Sequence, residues 1–290
     1  MPTLLDFRRR IRSVKNTQQI TRAMKFVAAA RLRRAQEAAL AARPYAVELA
    51  RVLRSTMARI EEPEHALLAR RAEERVLAIV LSGERGLAGA FNTNILRKAQ
   101  EFFRSVKGKK LSVVPVGKKG RDTLRRAGFH FPAEFINVLA KVEFATAREI
   151  STLVTDLYAK EEIDAVYLIF SEFKTVMSAN LAVQKLLPVE ALSAAEEGAT
   201  EQDSQVDYIY EQPEKQLLDK LLPRYVETQV LRAMLESSAS EYAARMTAME
   251  SATKNAGEVI QGLTLHMNKV RQAAITKEII EIVSGASYGA

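Results

Sequence analysis

Residues 245–290, RMTAMESATKNAGEVIQGLTLHMNKVRQAAITKEIIEIVSGASYGA, decide how this chain folds. Counted from the turn before, apolar or small residues recur at Tyr242, Met246, Met249, Thr253, Ala256, Ile260, Leu263, Met267, Val270 and Ala274, at spacings that alternate four and three. That is a heptad seam only two positions wide in seven. It suits a single partner helix, because a helix lying on a globular core shows a broader apolar stripe. An uncovered seam would self-associate, so the spacing predicts a partner of comparable length. The seam relaxes at Thr253, Ala256 and Gly257, where small residues permit close approach but bury little area. Beyond it, Ile275, Ile279, Ile280, Ile282 and Val283 occupy more of the circumference than one helix can cover. Another surface must surround that tip.

The other long helical segment lies at the opposite end of the chain. From Thr3 to about Arg59 there is no glycine and one proline, Pro44, where a kink is expected. Its apolar positions run Phe7, Ile11 and Val14, then Ile20, Met24 and Val27, then Leu32, so the stripe is expected to drift as a heptad stutter would make it. Helix formers resume at about Pro213 and continue to about Val283, with an interruption expected at Pro223. Because everything else is inserted between these two segments, the simplest arrangement is an antiparallel coiled coil of the termini.

Residues 75 to about 190 have a different character. RVLAIVLS, KLSVVPVG, AVYLIFSEF and LAVQKLLPV read as strands; residues 92–107, GRDTLRRAG and TAREISTLVTDLYAKE read as helices. Alternating strands and helices make an α/β domain with a mainly parallel sheet. SAAEEGATEQDSQ then reads as a polar connection. The fold expected is therefore mixed: a long antiparallel coiled coil of N- and C-terminal helices, residues 1–60 and 208–286, with a Rossmann-like α/β domain inserted at residues 70–195.

The most chemical-looking motif is SGERGLAGAFNTN, with Gly83, Gly86 and Gly89 between a strand and a helix, where a dinucleotide fold cradles pyrophosphate. The spacing is G-x-x-G-x-x-G rather than G-x-G-x-x-G, and VVPVG carries no acidic residue for a ribose. VGKKG lacks the Ser or Thr and the upstream glycine of a phosphate loop. Glycines that serve a turn and close helix packing explain the motif better than a cofactor does, and none is expected.

Composition narrows the function further. The chain of 290 residues has no cysteine, which excludes disulfides and thiol chemistry, and its three histidines, His65, His130 and His266, show no metal-binding spacing. The longest strongly apolar run, VLAIVL, is far shorter than the roughly 18 residues a membrane span needs. MPTLLDFRRRIRS has no apolar signal core, so the first residues are expected to be structural. Residues 1–60 hold 14 Lys or Arg against 3 Asp or Glu, net +11, and the remainder is net −3. Such a segment suits nucleic acid, an anionic membrane surface or an acidic protein. Its basic residues alternate with packing positions and only Phe7, Phe26 and Tyr45 could stack on bases, so a coiled-coil nucleic-acid binder is the second reading. Glu250, Glu258, Glu278 and Glu281 fall outside the seam, as on a solvated face, and no catalytic carboxylate pair stands out.

Three stretches carry a family resemblance: RRRIRSVKNTQQITRAMKFVAAARLRRAQ, SGERGLAGAFNTN, and ARMTAMESATKNAGEVIQGLTLHMNKVRQAAITKEIIEIVSGA. SEFKTVMSANLAVQKLLPV and DYIYEQ add to them. In these the chain resembles the gamma subunit of F-type ATP synthase, of the bacterial type. The resemblance implies a central rotary shaft that transmits torque between a membrane-embedded c-ring and a ring of three alpha and three beta subunits, beside an epsilon subunit. It implies no active site or cofactor in this chain, and a peripheral place on the cytoplasmic face of the bacterial inner membrane. Contacts with the catalytic ring carry over to Arg271, Gln272 and Thr276, energy-coupling positions to Met24, Glu241 and Arg245, and contacts with the c-ring to Tyr208, Tyr210 and Glu211. Where the family often has cysteine this chain has Ala88, and it lacks the cysteine-bearing insertion of chloroplast members near residue 200, so thiol regulation is not expected.

Overall fold

The computed structural model describes residues 3–59, 65–176, 178–189 and 214–288. Helix α1 spans Leu4–Arg59 and helix α5 spans Glu214–Tyr288. Both run through their prolines without a break. Pro44 faces solvent, where water can satisfy the carbonyl left without a donor, and at Pro223 the expected interruption gives way to continuous helix. The described chain forms two compact units, residues 1–29 with 245–290 and residues 30–244.

The larger unit is built on a four-stranded sheet of β1 (Arg75–Leu81), β2 (Lys110–Val116), β3 (Ala165–Phe173) and β4 (Ala179–Leu187) in the order β2-β1-β3-β4. β1 pairs parallel with β2 and β3, while β4 closes one edge antiparallel to β3. Helices α2 (Phe91–Ser105), α3 (Lys118–Arg126) and α4 (Phe144–Ala159) connect the strands. β1 is interior and covered on both faces, which is why its sequence is continuously apolar rather than alternating. Leu77, Ile79 and Leu81 point to a core shared with Ile150 and Val154 of α4, Leu53 of α1 and Leu222, Val226 and Met234 of α5. Ala78 and Val80 point the other way, to Phe91 and Ile95 of α2 and Leu124 of α3.

Two ion-pair clusters hold the sheet at the end where its parallel strands begin. Asp164 takes the Arg75 guanidinium on both oxygens, at 2.6 and 3.1 Å, and accepts the Arg75 N–H at 2.8 Å. Those hydrogen bonds hold its carboxyl below the usual range. Glu73 meets Lys109 and Lys185, each at 3.0 Å, and the Tyr167 hydroxyl at 3.1 Å. Burial pushes its pKa up, but the hydrogen bonds from Lys109, Lys185 and Tyr167 outweigh burial and bring it down to about 2. A carboxylate whose folded pKa is depressed stabilises the fold above its unfolded pKa and loses that contribution as pH falls through the folded one. The expected result is a Tm gap between the parent and Glu73→Gln that is constant above pH 5, narrows from about pH 4.5 downward and closes near pH 2. A gap independent of pH would show that packing, not charge, is what Glu73 supplies.

Candidate functional site

In the smaller unit the two chain ends pack against each other and run in opposite directions. The Phe7 ring lies 5.1 Å from His266. Further along α1, Gln18 donates to the Thr253 carbonyl at 3.3 Å, Thr21 and Thr253 share a hydroxyl bond at 2.8 Å, and Lys25 pairs with Glu250 at 2.6 Å. Partner numbers fall on α5 as they rise on α1, as antiparallel helices require. Every α5 seam position expected from Met246 to Ala274 is buried or half-buried, and Glu250, Glu258, Glu278 and Glu281 are exposed.

The α1 side corrects one expectation. Phe7, Ile11, Val14, Gln18, Thr21, Lys25, Ala28 and Leu32 are all buried or half-buried in an unbroken four-three count, so the stripe continues without the expected drift. Ile20 and Val27 are exposed instead, and Met24 is half-buried. Polar side chains occupy the seam where α5 offers Thr253, Gly257 and a glutamate, so hydrogen bonds replace apolar contact. Polar groups within such a seam weaken it but specify its register. The signal available in the sequence was that Ala28 and Leu32 resume the count begun by Phe7, Ile11 and Val14.

Beyond about residue 270 α5 outruns its partner. With His266 already opposite Phe7 and α1 beginning at Leu4, little of α1 is left to face the tip. Ile275, Ile279, Ile280, Ile282 and Val283 are all exposed, Ile282 to 71%. Arg271, Gln272 and Thr276 lie exposed on the same stretch. Arg245 and Met24 are both half-buried. Tyr208, Tyr210 and Glu211 lie outside the described residues.

Glu241 belongs to the larger unit, where it is buried against the glycine motif. A Cβ added to Gly83 would come within 3.0 Å of both the Glu241 carboxylate and Asn92 Oδ1, so the glycine lets α2 and α5 close on the strand end. The Gly83 N–H donates to Asn92 Oδ1 at 2.8 Å. Glu84, also buried, accepts the backbone N–H groups of Lys118, Val138 and Leu139 at 3.1, 3.0 and 3.4 Å. Ser82 Oγ accepts the Gly120 N–H at 2.7 Å, and the Gly83 carbonyl accepts that of Lys119 at 3.0 Å. The first amides of α3 are thus satisfied from within the chain. Sequence reading missed Glu84 and Ser82 because nothing in their spacing tells which backbone donors the fold sets opposite them. Among the described residues no group of His, Asp or Glu side chains could hold a metal ion, and no helix is long and apolar enough to cross a membrane.

A family model described as ATP synthase matches residues 3–287. The chain is 51% identical over 291 residues to the ATP synthase gamma chain of Solibacter usitatus, covering 99% of each chain. It is 48% identical over 287 residues to that of Desulforamulus reducens, again covering 99% of each. Among solved structures it is similar to a chain of the central stalk and c-ring of Tetrahymena thermophila mitochondrial ATP synthase, with TM-score 0.61, 25% identity, and coverage of 80% of this chain and 99% of that one. A chain of the Euglena gracilis mitochondrial ATP synthase, at 22% identity, shares the fold with TM-score 0.65 and covers 98% of this chain and 93% of that one.

Proposed function

This chain belongs to the ATP synthase gamma-chain family, and we propose that it is the central rotary shaft of a proton-translocating F-type ATP synthase. In that role it is a non-catalytic subunit of an enzyme complex: ATP is made and hydrolysed in the beta subunits, and this chain carries torque between them and the membrane c-ring. The observation that supports the role best is the terminal helix pair. The two ends cover each other's seam, yet the isoleucine tip of α5 stays exposed, as suits a helix end that turns inside a sleeve of other subunits.

The finer assignments follow from that reading. The sleeve is three alpha and three beta subunits, epsilon sits beside the shaft, and the complex works at the cytoplasmic face of a bacterial inner membrane to which this chain is peripheral. The terminal helices, residues 1–60 and 208–286, form a coiled coil, and residues 70–195 form a Rossmann-like insert. Arg271, Gln272 and Thr276 touch the catalytic ring; their exposure near the tip supports this. Met24, Glu241 and Arg245 maintain coupling, and a positive charge at Met24, within two helical turns of the polar seam residues Gln18, Thr21 and Lys25, would disturb it. Tyr208, Tyr210 and Glu211 meet the c-ring.

The test is the native mass and ATP hydrolysis of this chain co-expressed with its own organism's alpha and beta subunits. A complex of three alpha, three beta and one copy of this chain, hydrolysing ATP only when this chain is present, is the expected result. A chain that stays apart from them would overturn the proposal and make salt-dependent binding to duplex nucleic acid the next assay.

A further inference from the structure

Midway along α1, within the larger unit, apolar packing against α5 is thin. Ala39, Ala42 and Ala46 line a cavity of about 150 Å³ with Leu231 and Leu235 of α5. Small side chains around a gap forfeit contacts that larger ones would make. Glu236 also lines this cavity, with its side chain only 5% exposed. Its Oε1 lies 3.4 Å from Arg43 Nη2 of α1, and its Oε2 accepts the N–H of Phe173, the last residue of β3, at 3.0 Å. One carboxylate therefore holds α1, the sheet and α5 together.

The next turn of α5 continues the pattern. Ser238 Oγ donates to the Leu139 carbonyl and Ser240 Oγ to the Ser171 carbonyl, each at 3.1 Å, and the Tyr242 hydroxyl donates to the Ala140 carbonyl at 3.4 Å. Every residue from Ala233 to Ala243 is buried, although five of them are Ser or Glu. Apolar burial is non-directional and tolerates sliding; hydrogen bonds with fixed acceptors do not.

From this we infer that Glu236, through Arg43 and the Phe173 N–H, is a positioning residue that locks α5 to α1 and to the sheet, so that the helix cannot turn against the inserted domain under load. The inference rests on the shaft reading, since only a rotating shaft puts such a joint under torque. Glu236 is not a catalytic residue in this account, because it touches no substrate.

The experiment uses the whole ATP synthase of the source organism in sealed vesicles, with proton pumping and ATP hydrolysis measured together. Glu236→Ala is expected to leave hydrolysis within about twofold while the ratio of pumping to hydrolysis falls about fivefold. Glu236→Gln, which keeps an oxygen for the Phe173 N–H, should fall less. Arg43→Met, at a side chain more than half exposed, opens only the α1 arm and keeps the test decisive if Glu236→Ala fails to fold. The thermal unfolding of each variant chain separates mechanics from stability. An unchanged ratio in all three would overturn the inference, and so would pumping and hydrolysis that fall in parallel with Tm. Failure of the unaltered chain to support hydrolysis would instead overturn the shaft reading, and that is seen before any variant is compared.

Discussion

Gly117→Ala is expected to cost the larger unit about 3–5 kcal/mol, enough to lower its Tm by about 10 °C. Gly117 joins β2 to α3 with φ +103, a conformation that side chains rarely adopt. A Cβ there would also lie 1.9 Å from the Ser82 carbonyl oxygen and 2.9 Å from Ser82 Oγ, so backbone at the end of β1 would have to move. That movement would break the bonds Ser82 makes to the α3 amide of Gly120 and to the Val116 carbonyl. Gly128 is the control: its φ is +87, but nothing lies within 4 Å of the added Cβ. Gly128→Ala should cost only the conformational penalty, about 1–2 kcal/mol. Thermal melts of the two variants decide the matter, and equal losses would show that the close approach to Ser82 is not what makes the glycine necessary.

Deleting residues 271–290 should have the opposite profile. The free chain is expected to keep its Tm within about 2 °C, because among residues 271–284 every side chain but the half-buried Ala274 is exposed and buries little area in it. The Lys277–Glu281 pair goes too, but with side chains 77% and 65% exposed it contributes next to nothing. Coupling between proton flow and ATP turnover in the assembled complex should nevertheless fall about tenfold, because the isoleucine tip and Arg271, Gln272 and Thr276 are lost. The free chain should also scatter less light at high concentration, since the exposed isoleucines of the tip are gone. Unchanged coupling would count heavily against a shaft seated through this tip. A large fall in Tm would mean that the tip packs within the chain after all.

The substitution at Gly117 and the deletion of the tip fall on different parts of the molecule, and the sequence separated those parts unequally. The α5 seam was legible because burial against one parallel or antiparallel helix selects the same two positions in every heptad, so spacing alone names the covered residues. The uncovered tip was legible for the same reason, as the place where Ile279, Ile280, Ile282 and Val283 exceed what that geometry can bury. β1 announced itself by a continuous apolar run, which a strand covered on both faces requires. α1 was harder: its exposed Ile20 and Val27 looked like packing residues, while Gln18, Thr21 and Lys25, which lie in the seam, carry no apolar signal.

From its order of residues alone, this chain determined two long terminal helices, an inserted α/β sheet and an apolar end that something else must cover, because these depend on local periodicity and on the amount of apolar surface. Only the tertiary structure decided which polar residues are inside. Glu84 and Glu236 are buried, each against donors far away in sequence: the amides of residues 118, 138 and 139 for Glu84, and Arg43 and Phe173 for Glu236. A carboxylate is tolerated inside when donors meet it there, and where donors stand is set by how distant segments come together, not by the spacing of neighbours along the chain.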